Sequence, residues 1–340
     1  MTKYIAYIES PLQAFNLIEY LDVNNITLSL LVINKRTENS ALNYGQISYL
    51  LNMIKHCKLV TIDVEGKLNR IIDIRRELKS INSTVSRKEN VVLIAGEYRA
   101  RVFWMLANKF PKREVVLLDD GTATLRIKRG DNITARSCLK SIFLKLFGVI
   151  NNEREKITFF SVYDIHENIA KKDRVIRHSY QNYRAKLLGL PKGENKTFII
   201  GSPLYEAGVT KVDDIELTKK MIHSLRKNNE NINLIYIPHR REREEKINAL
   251  KHEVEVCRLD YPFEIHPLVT GENVVSIAGF YSSLYDNLIK IYDDKIKITA
   301  YVLNDGFISD EWVGFVASVY KNYESYKDAD VTLIKDDLKY

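Results

Sequence analysis

Short apolar runs alternate with segments of helical periodicity along this chain, and the alternation restarts midway; this is what most constrains the fold. In the first half, Tyr4–Glu9, Ile26–Asn34, Val91–Ala95 and Val115–Asp119 read as strands, and Pro11–Leu21, Ala41–His56 and Ala100–Phe110 carry the helical pattern. The second half repeats it with strands Thr197–Ile200, Asn233–Pro238 and Val274–Ile277 and helices Asp214–Lys227, Arg240–Lys251 and Ser283–Ile291. Strands that alternate with amphipathic helices form βαβ units around a parallel sheet, and their near-continuous apolar runs reflect burial on both faces. At 340 residues the chain suffices for two such domains. The stretch Asn151–Asn195 has poorer periodicity and ends in the turn-rich Gly189-Leu190-Pro191-Lys192-Gly193, so the interdomain linker is expected there. The expected division is residues 1–190 and 191–340, with the last helix crossing back. The expected class is α/β: two Rossmann-like, doubly wound domains whose sheets meet a central cleft at their carboxyl ends.

Composition narrows the function classes. The net charge of +7 favours an anionic partner, but the 51 Lys and Arg are interleaved with 44 Asp and Glu. No RRM, zinc-finger or basic-arm pattern accompanies them, so nucleic acid is not expected as a partner. Cys57, Cys138 and Cys257 lie far apart without CxxC or Cys/His spacing, which argues against a disulfide framework or a zinc site and fits a reducing compartment. The N-terminus lacks the pattern of a signal peptide, and no apolar run reaches the roughly 18 residues of a membrane span. A cytoplasmic protein is expected. The segment Ser137–Ile150 is apolar with Lys140 and Lys145, which suits either a buried helix or a helix lying on an anionic membrane surface. The second reading would make the protein peripheral on the inner face of the plasma membrane, with a lipid-linked acceptor.

Several strand ends carry chemistry. Asp119, Asp120 and Gly121 follow the apolar run Val115–Leu118; carboxylates at such an edge can serve as a general base, although Asp-Gly is also an ordinary turn. His239 ends the strand Leu234–Pro238 and precedes Arg240, Arg241 and Glu242, where a histidine protonated near neutrality can sit beside a phosphate; a surface histidine in a basic turn is the plainer alternative. Tyr261-Pro262-Phe263-Glu264 precedes a strand that ends in Gly279-Phe280-Tyr281-Ser282-Ser283. Tandem serines opening a helix offer hydroxyls and free N–H groups to a phosphate, and serine is equally a good N-cap. Gly201 and Ser202 make a similar turn before Pro203. No Gly-x-Ser-x-Gly, P-loop or Gly-x-Gly-x-x-Gly is present, and the Asp328-Ala329-Asp330 near the C-terminus lies beyond both predicted sheets.

In this order, Asp-Asp-Gly, strand-His-Arg-Arg-Glu, Pro-Phe-Glu and Gly-Phe-Tyr-Ser-Ser resemble the bacterial sialyltransferases of the lipooligosaccharide and polysialyltransferase groups. The opening Glu9-Ser10-Pro11-Leu12-Gln13 is similar to the Ser-Pro-Leu-Gln start of the lipooligosaccharide group, which brings in Pro11 and Gln13. The resemblance spans Tyr4 to about Leu288. It implies a GT-B scaffold and inverting transfer of sialic acid from CMP-sialic acid to a glycan hydroxyl in surface polysaccharide or lipooligosaccharide synthesis, with neither metal nor cofactor. Asp120, or its neighbour Asp119, would be the base, with Gly121 shaping the turn. His239 would act on the departing phosphate, with Gly201, Ser202, Ser282 and Ser283 around the CMP moiety and Glu264 on the ribose. A literal His-Pro occurs at His266-Pro267, after the glutamate; His266 is therefore the second choice. The alternatives are a CMP-dependent transferase for another nonulosonate or Kdo, and a non-catalytic nucleotide-sugar or glycan-binding protein.

Overall fold

A computed structural model describes residues 2–35, 40–55, 57–63, 70–81, 84–121, 123–130, 142, 144–145, 148–193, 196–228, 232–292, 295–326 and 329–335. The chain divides into two compact units, Met1–Asn182 and Tyr183–Tyr340, and passes from one to the other inside the short helix Gln181–Leu187.

The first unit holds a seven-stranded parallel sheet made of β1 (Lys3–Ile8), β2 (Leu30–Lys35), β3 (Lys58–Asp63), β4 (Val91–Ala95), β5 (Arg113–Leu118), β6 (Ile157–Ser161) and β7 (Arg174–Arg177), in the order β3-β2-β1-β4-β5-β6-β7. The central strands are apolar because both faces are covered: every residue of β4 is buried, and so are Ile5 to Ile8 of β1. The helix Pro11–Asn24 packs Ala14, Phe15, Leu17 and Ile18 into this core. Its start is set by Ser10, whose hydroxyl accepts the N–H of Gln13, and by Pro11 in its first turn.

The second unit repeats the winding with β8 (Lys196–Ile200), β9 (Asn233–Ile237), β10 (Glu255–Val256), β11 (Ser276–Gly279), β12 (Lys297–Tyr301) and β13 (Val331–Ile334), all parallel, in the order β10-β9-β8-β11-β12-β13. Strand order reverses direction between β1 and β4 in one unit and between β8 and β11 in the other. At such a switch point the two neighbouring loops leave toward opposite faces of the sheet and open a crevice at its carboxyl edge, where ligands bind in doubly wound folds.

The segment expected as a linker differs from that expectation. Residues 157–161 and 174–177 are strands that extend the first sheet. A buried ion pair holds them: the Arg129 guanidinium donates to both carboxylate oxygens of Asp173, at 2.6 and 3.2 Å, and to the carbonyls of Asn152 and Glu155, each at 2.7 Å. Asp173 also accepts the N–H of Ile157, at the first residue of β6. Their pattern is hard to read because β7, Arg-Val-Ile-Arg, is a charged edge strand with no fully buried residue. The last helix, Asp310–Glu324, leads into β13 of the second unit. Most of the apolar segment 137–150 lies outside the described residues.

Candidate functional site

In the first unit, burial separates the two adjacent carboxylates at the end of β5. Asp119 is 2% exposed. Its carboxylate accepts the hydroxyl of Ser161 at 2.6 Å and the N–H of Val162 at 2.7 Å, and its carbonyl accepts Asn16 at 2.9 Å. Burial pushes its pKa up to about 7, against the opposing effect of those hydrogen bonds and of Arg177. Behind it lies His178, whose Nε2 is 4.0 Å from Asp119 Oδ2. The His178 ring stacks on Phe160 at 3.9 Å, neither nitrogen has a hydrogen-bond partner among the described residues, and burial with the nearby Arg177 lowers its pKa to about 3.

Asp120 is half-buried at the edge itself. Its N–H donates to Thr124 Oγ1 at 3.0 Å, and Ser10 donates its hydroxyl proton to the carboxylate at 3.4 Å. The following Gly121 adopts φ +59°, a left-handed turn conformation that glycine takes without strain. Of the pair, Asp119 is the buried one, tied into the core, and Asp120 is the one with partial exposure. Ser161 and Val162, which hold Asp119, carry no motif and were missed in the sequence.

Pro11 and Gln13 are both buried. Gln13 accepts the N–H of Glu9 at 2.8 Å, and it lies so close to Gly96, just beyond β4, that a Cβ there would come within 2.8 Å of the Gln13 Cβ. Gln13 thus fills the space between the ends of β1 and β4 from within the core, and Pro11 opens the helix that carries it.

In the second unit the predicted residues gather at the carboxyl edge around the other switch. Gly201 and Ser202 leave β8, His239 leaves β9, and Ser282 and Ser283 follow β11. Ser202 is buried and donates its hydroxyl to the Tyr281 carbonyl at 3.2 Å, joining the loops on either side of the switch. Gly279 permits the approach of these strands, because a Cβ there would lie 2.7 Å from the Ile200 carbonyl oxygen. Ser282 caps the helix Ser283–Tyr292 by accepting the Leu284 N–H at 3.2 Å. An accepting cap keeps its own hydroxyl proton, so capping and phosphate binding are compatible. The loop is held from below by Tyr323, which accepts the Ser282 N–H at 3.0 Å and donates to its carbonyl at 2.9 Å.

His239 is half-buried, and its Nδ1 accepts the N–H of Arg241 at 3.1 Å. Acceptance at Nδ1 assigns the proton of the neutral ring to Nε2. Burial, then Arg240, Arg241 and Lys246, lower its pKa to about 3. That lowering favours the neutral ring, a donor at Nε2, over the imidazolium expected near neutrality.

Glu264 is buried in the 3-10 turn Phe263–Ile265, where it accepts Asn287 at 3.1 Å and burial raises its pKa. Tyr183 donates to its carbonyl. His266 points elsewhere. Its ring stacks on Phe263 at 5.2 Å and meets the edge of Phe198 at 4.9 Å, and it borders a cavity of about 300 Å³ with Lys196, Val274 and Val275, toward the amino ends of β8 and β11. That placement sets His266 apart from the loops carrying His239 and the serines.

The sequence reading of Arg240–Lys251 as one charged helix also needs correction, since the helix is Glu244–Leu250 and the residues before it form a turn. Within this segment Glu242 and Lys246 are buried beneath His239. Neither was expected at the site, because charged residues in a charged run read as solvated. Among the described residues, no group of three or more His, Cys, Asp or Glu is placed to hold a metal ion, and no helix is long and apolar enough to cross a membrane.

No family model and no curated protein matches the chain. Solved structures do. An alpha/beta-galactoside alpha-2,3-sialyltransferase from the luminous marine bacterium Photobacterium phosphoreum is similar with a TM-score of 0.56 and 13% identity over 99% of either chain. The calicheamicin glycosyltransferase CalG4 is similar with a TM-score of 0.52 and 8% identity, over 100% of this chain and 87% of its own. UGT89C1 of Arabidopsis thaliana, complexed with UDP-L-rhamnose, gives 0.51 and 8%, over 98% of this chain and 85% of its own. At such identities the likeness speaks for the fold, and with the two parallel sheets it establishes that this chain has the two-domain α/β architecture of the GT-B glycosyltransferases.

Proposed function

We propose that the protein is an inverting glycosyltransferase that moves sialic acid from CMP-sialic acid to a hydroxyl of a glycan, without a metal ion. The observation that carries the donor half is the carboxyl edge of the second unit, where the neutral His239 with its proton on Nε2, the capping Ser282, Ser283 and the first turn of the helix Ser283–Tyr292 belong to the loops leaving β9 and β11, the two neighbours of β8. Such donors, fixed before the reaction, stabilise charge that builds on a departing phosphate. His239 gives a hydrogen bond from Nε2 to the phosphate as the glycosidic C–O bond breaks. The incoming dianion raises the ring's proton affinity, so a proton taken up from solvent would strengthen that bond. Glu264 accepts the ribose hydroxyls. Asp120 takes the proton of the acceptor hydroxyl as its oxygen attacks the anomeric carbon from the side opposite CMP, which inverts that centre. The likeness to GT-B enzymes supports sugar transfer, and the ordered motifs support CMP over other nucleotides.

Thermal-shift titration with CMP, UDP and GDP, each with and without EDTA, tests the donor. A rise in melting temperature selective for CMP and unchanged by EDTA is expected. Stabilisation by UDP or GDP, or by CMP only with added Mg²⁺, would refute the assignment and leave the fold untouched.

A further inference from the structure

We propose that Lys246 is the positioning residue of the donor edge: its buried ammonium fixes the Ser202 loop and, through Glu242, the backbone of His239, in the geometry that grips the donor phosphate. This deepens the reading of that edge as a phosphate site and rests on it. Lys246 is 0% exposed. An ammonium has three N–H donors, and here each has an acceptor: Glu242 Oε1 at 2.6 Å, Asp214 Oδ2 at 2.7 Å and the Ser202 carbonyl at 3.0 Å. Glu242 passes the constraint on, because its other oxygen accepts the His239 N–H at 2.7 Å while Oε1 also accepts the Tyr236 hydroxyl at 2.7 Å.

The packing around this charge leaves no slack. Gly201 donates its N–H to the Ile237 carbonyl at 2.9 Å, and a Cβ at Gly201 would come within 2.9 Å of both the His239 nitrogen and the Tyr236 hydroxyl oxygen. One side chain thus ties together the loop after β8, the loop after β9 and Asp214, which precedes the helix Ile215–Asn228. Desolvation opposes the charge on Lys246, but Glu242 and Asp214 outweigh it and keep the ammonium protonated. Burial in turn raises the pKa of Asp214, whose Oδ1 has no hydrogen-bond partner among the described residues. A buried charge cluster of this kind contributes little net stability compared with apolar packing of the same volume. What it supplies is placement: two strand-end loops held at fixed distances from one point.

Three variants of the full chain test this: Lys246→Met, Lys246→Arg, and Glu242→Gln with Lys246→Met, in which the charge and one counter-charge leave together. The readouts are the His239 titration by NMR, assigned with His239→Gln, the affinity for CMP by calorimetry, and kcat and KM with CMP-sialic acid. Lys246→Met is expected to move the His239 titration up, because a cation is lost, and to weaken CMP at least tenfold. Lys246→Arg is expected to keep the titration at its wild-type position. If Lys246→Met does not fold, the double variant is read by CMP affinity alone, because loss of one cation and one carboxylate together leaves no net charge change to move the His239 titration. A lower melting temperature with His239 titration and CMP affinity both unchanged would overturn the proposal and leave Lys246 a structural residue only. Failure of the wild type to bind CMP would instead refute the donor assignment, while the His239 titration would still decide whether Lys246 positions that loop.

Discussion

Replacing Asp119 with asparagine should uncover a compensation between two buried titrations in the first unit. The folded carboxyl of Asp119 sits at about 7, above the ordinary carboxylate value, so taken alone it costs stability as pH rises from about 4 to about 7. His178 runs the other way. Its folded pKa of about 3 lies below the roughly 6.5 of an unfolded histidine, so alone it adds stability as pH rises from about 3 to about 6.5. Near pH 5.5 the native pair holds one proton, on Asp119, and the unfolded pair also holds one, on the imidazole. The two slopes cancel. In Asp119→Asn the first contribution is gone, and the stability of the variant relative to wild type should climb by about 1.4 kcal/mol per pH unit between about 4 and 7, about 4 kcal/mol in all. His178→Gln should show the opposite slope between about 3 and 6.5, and the double variant should run parallel to wild type. The assay is urea unfolding at a series of pH values in a Trp312→Phe background, which leaves the buried Trp104 as the sole tryptophan and a reporter for the first unit. A difference between Asp119→Asn and wild type that stays flat from pH 4 to 7 would show that Asp119 ionises at an ordinary value and is no buried anchor.

Asp120→Asn should lower kcat by about two to four orders of magnitude, as expected for loss of a general base, with the melting temperature within a degree or two of wild type; steady-state kinetics and calorimetry check it together. Gly201→Ala should cost about 1–3 kcal/mol and weaken CMP, since its Cβ meets the His239 nitrogen and the Tyr236 hydroxyl, and wild-type stability would show that the loops can give way. Ser282→Ala should lose about 1 kcal/mol as a cap and raise the KM for the donor, whereas Ser282→Gly should restore most of the stability but not the KM.

The strands read most clearly from the sequence are those covered on both faces. Val91–Ala95 is found at the predicted residues, and Thr197–Ile200 lies within β8, because an uninterrupted apolar run allows few other structures. The strand read as Val274–Ile277 is Ser276–Gly279, two residues later, since Val274 and Val275 are as apolar as the strand itself. β6 and β7 escaped notice because β7 lies at the sheet edge and keeps its arginines, and with them went the partners of Asp119. The motif put two carboxylates at one strand end; which of them faces inward depends on Ser161 and Val162, more than forty residues on in sequence. Lys246 was unreadable for a different reason. A lysine among Arg243, Glu244 and Glu245 looks like part of a solvated face, and only the tertiary placement of Asp214 and the Ser202 carbonyl makes an interior site for its charge.

The hydrogen bond from Ser202 to the Tyr281 carbonyl bears on how such a protein can be altered. Because it fastens the loop after β8 to the loop after β11, with Gly279 fitted against Ile200 beneath, neither loop can be exchanged without the other. Grafting one of them from another protein of the same fold would leave a buried hydroxyl without its fitted acceptor and a mismatched surface under it. Changes at one of these loops, whether in a laboratory lineage or a natural one, should therefore arrive with a matching replacement at the other, and chimeras that cross over between residues 202 and 281 should lose stability.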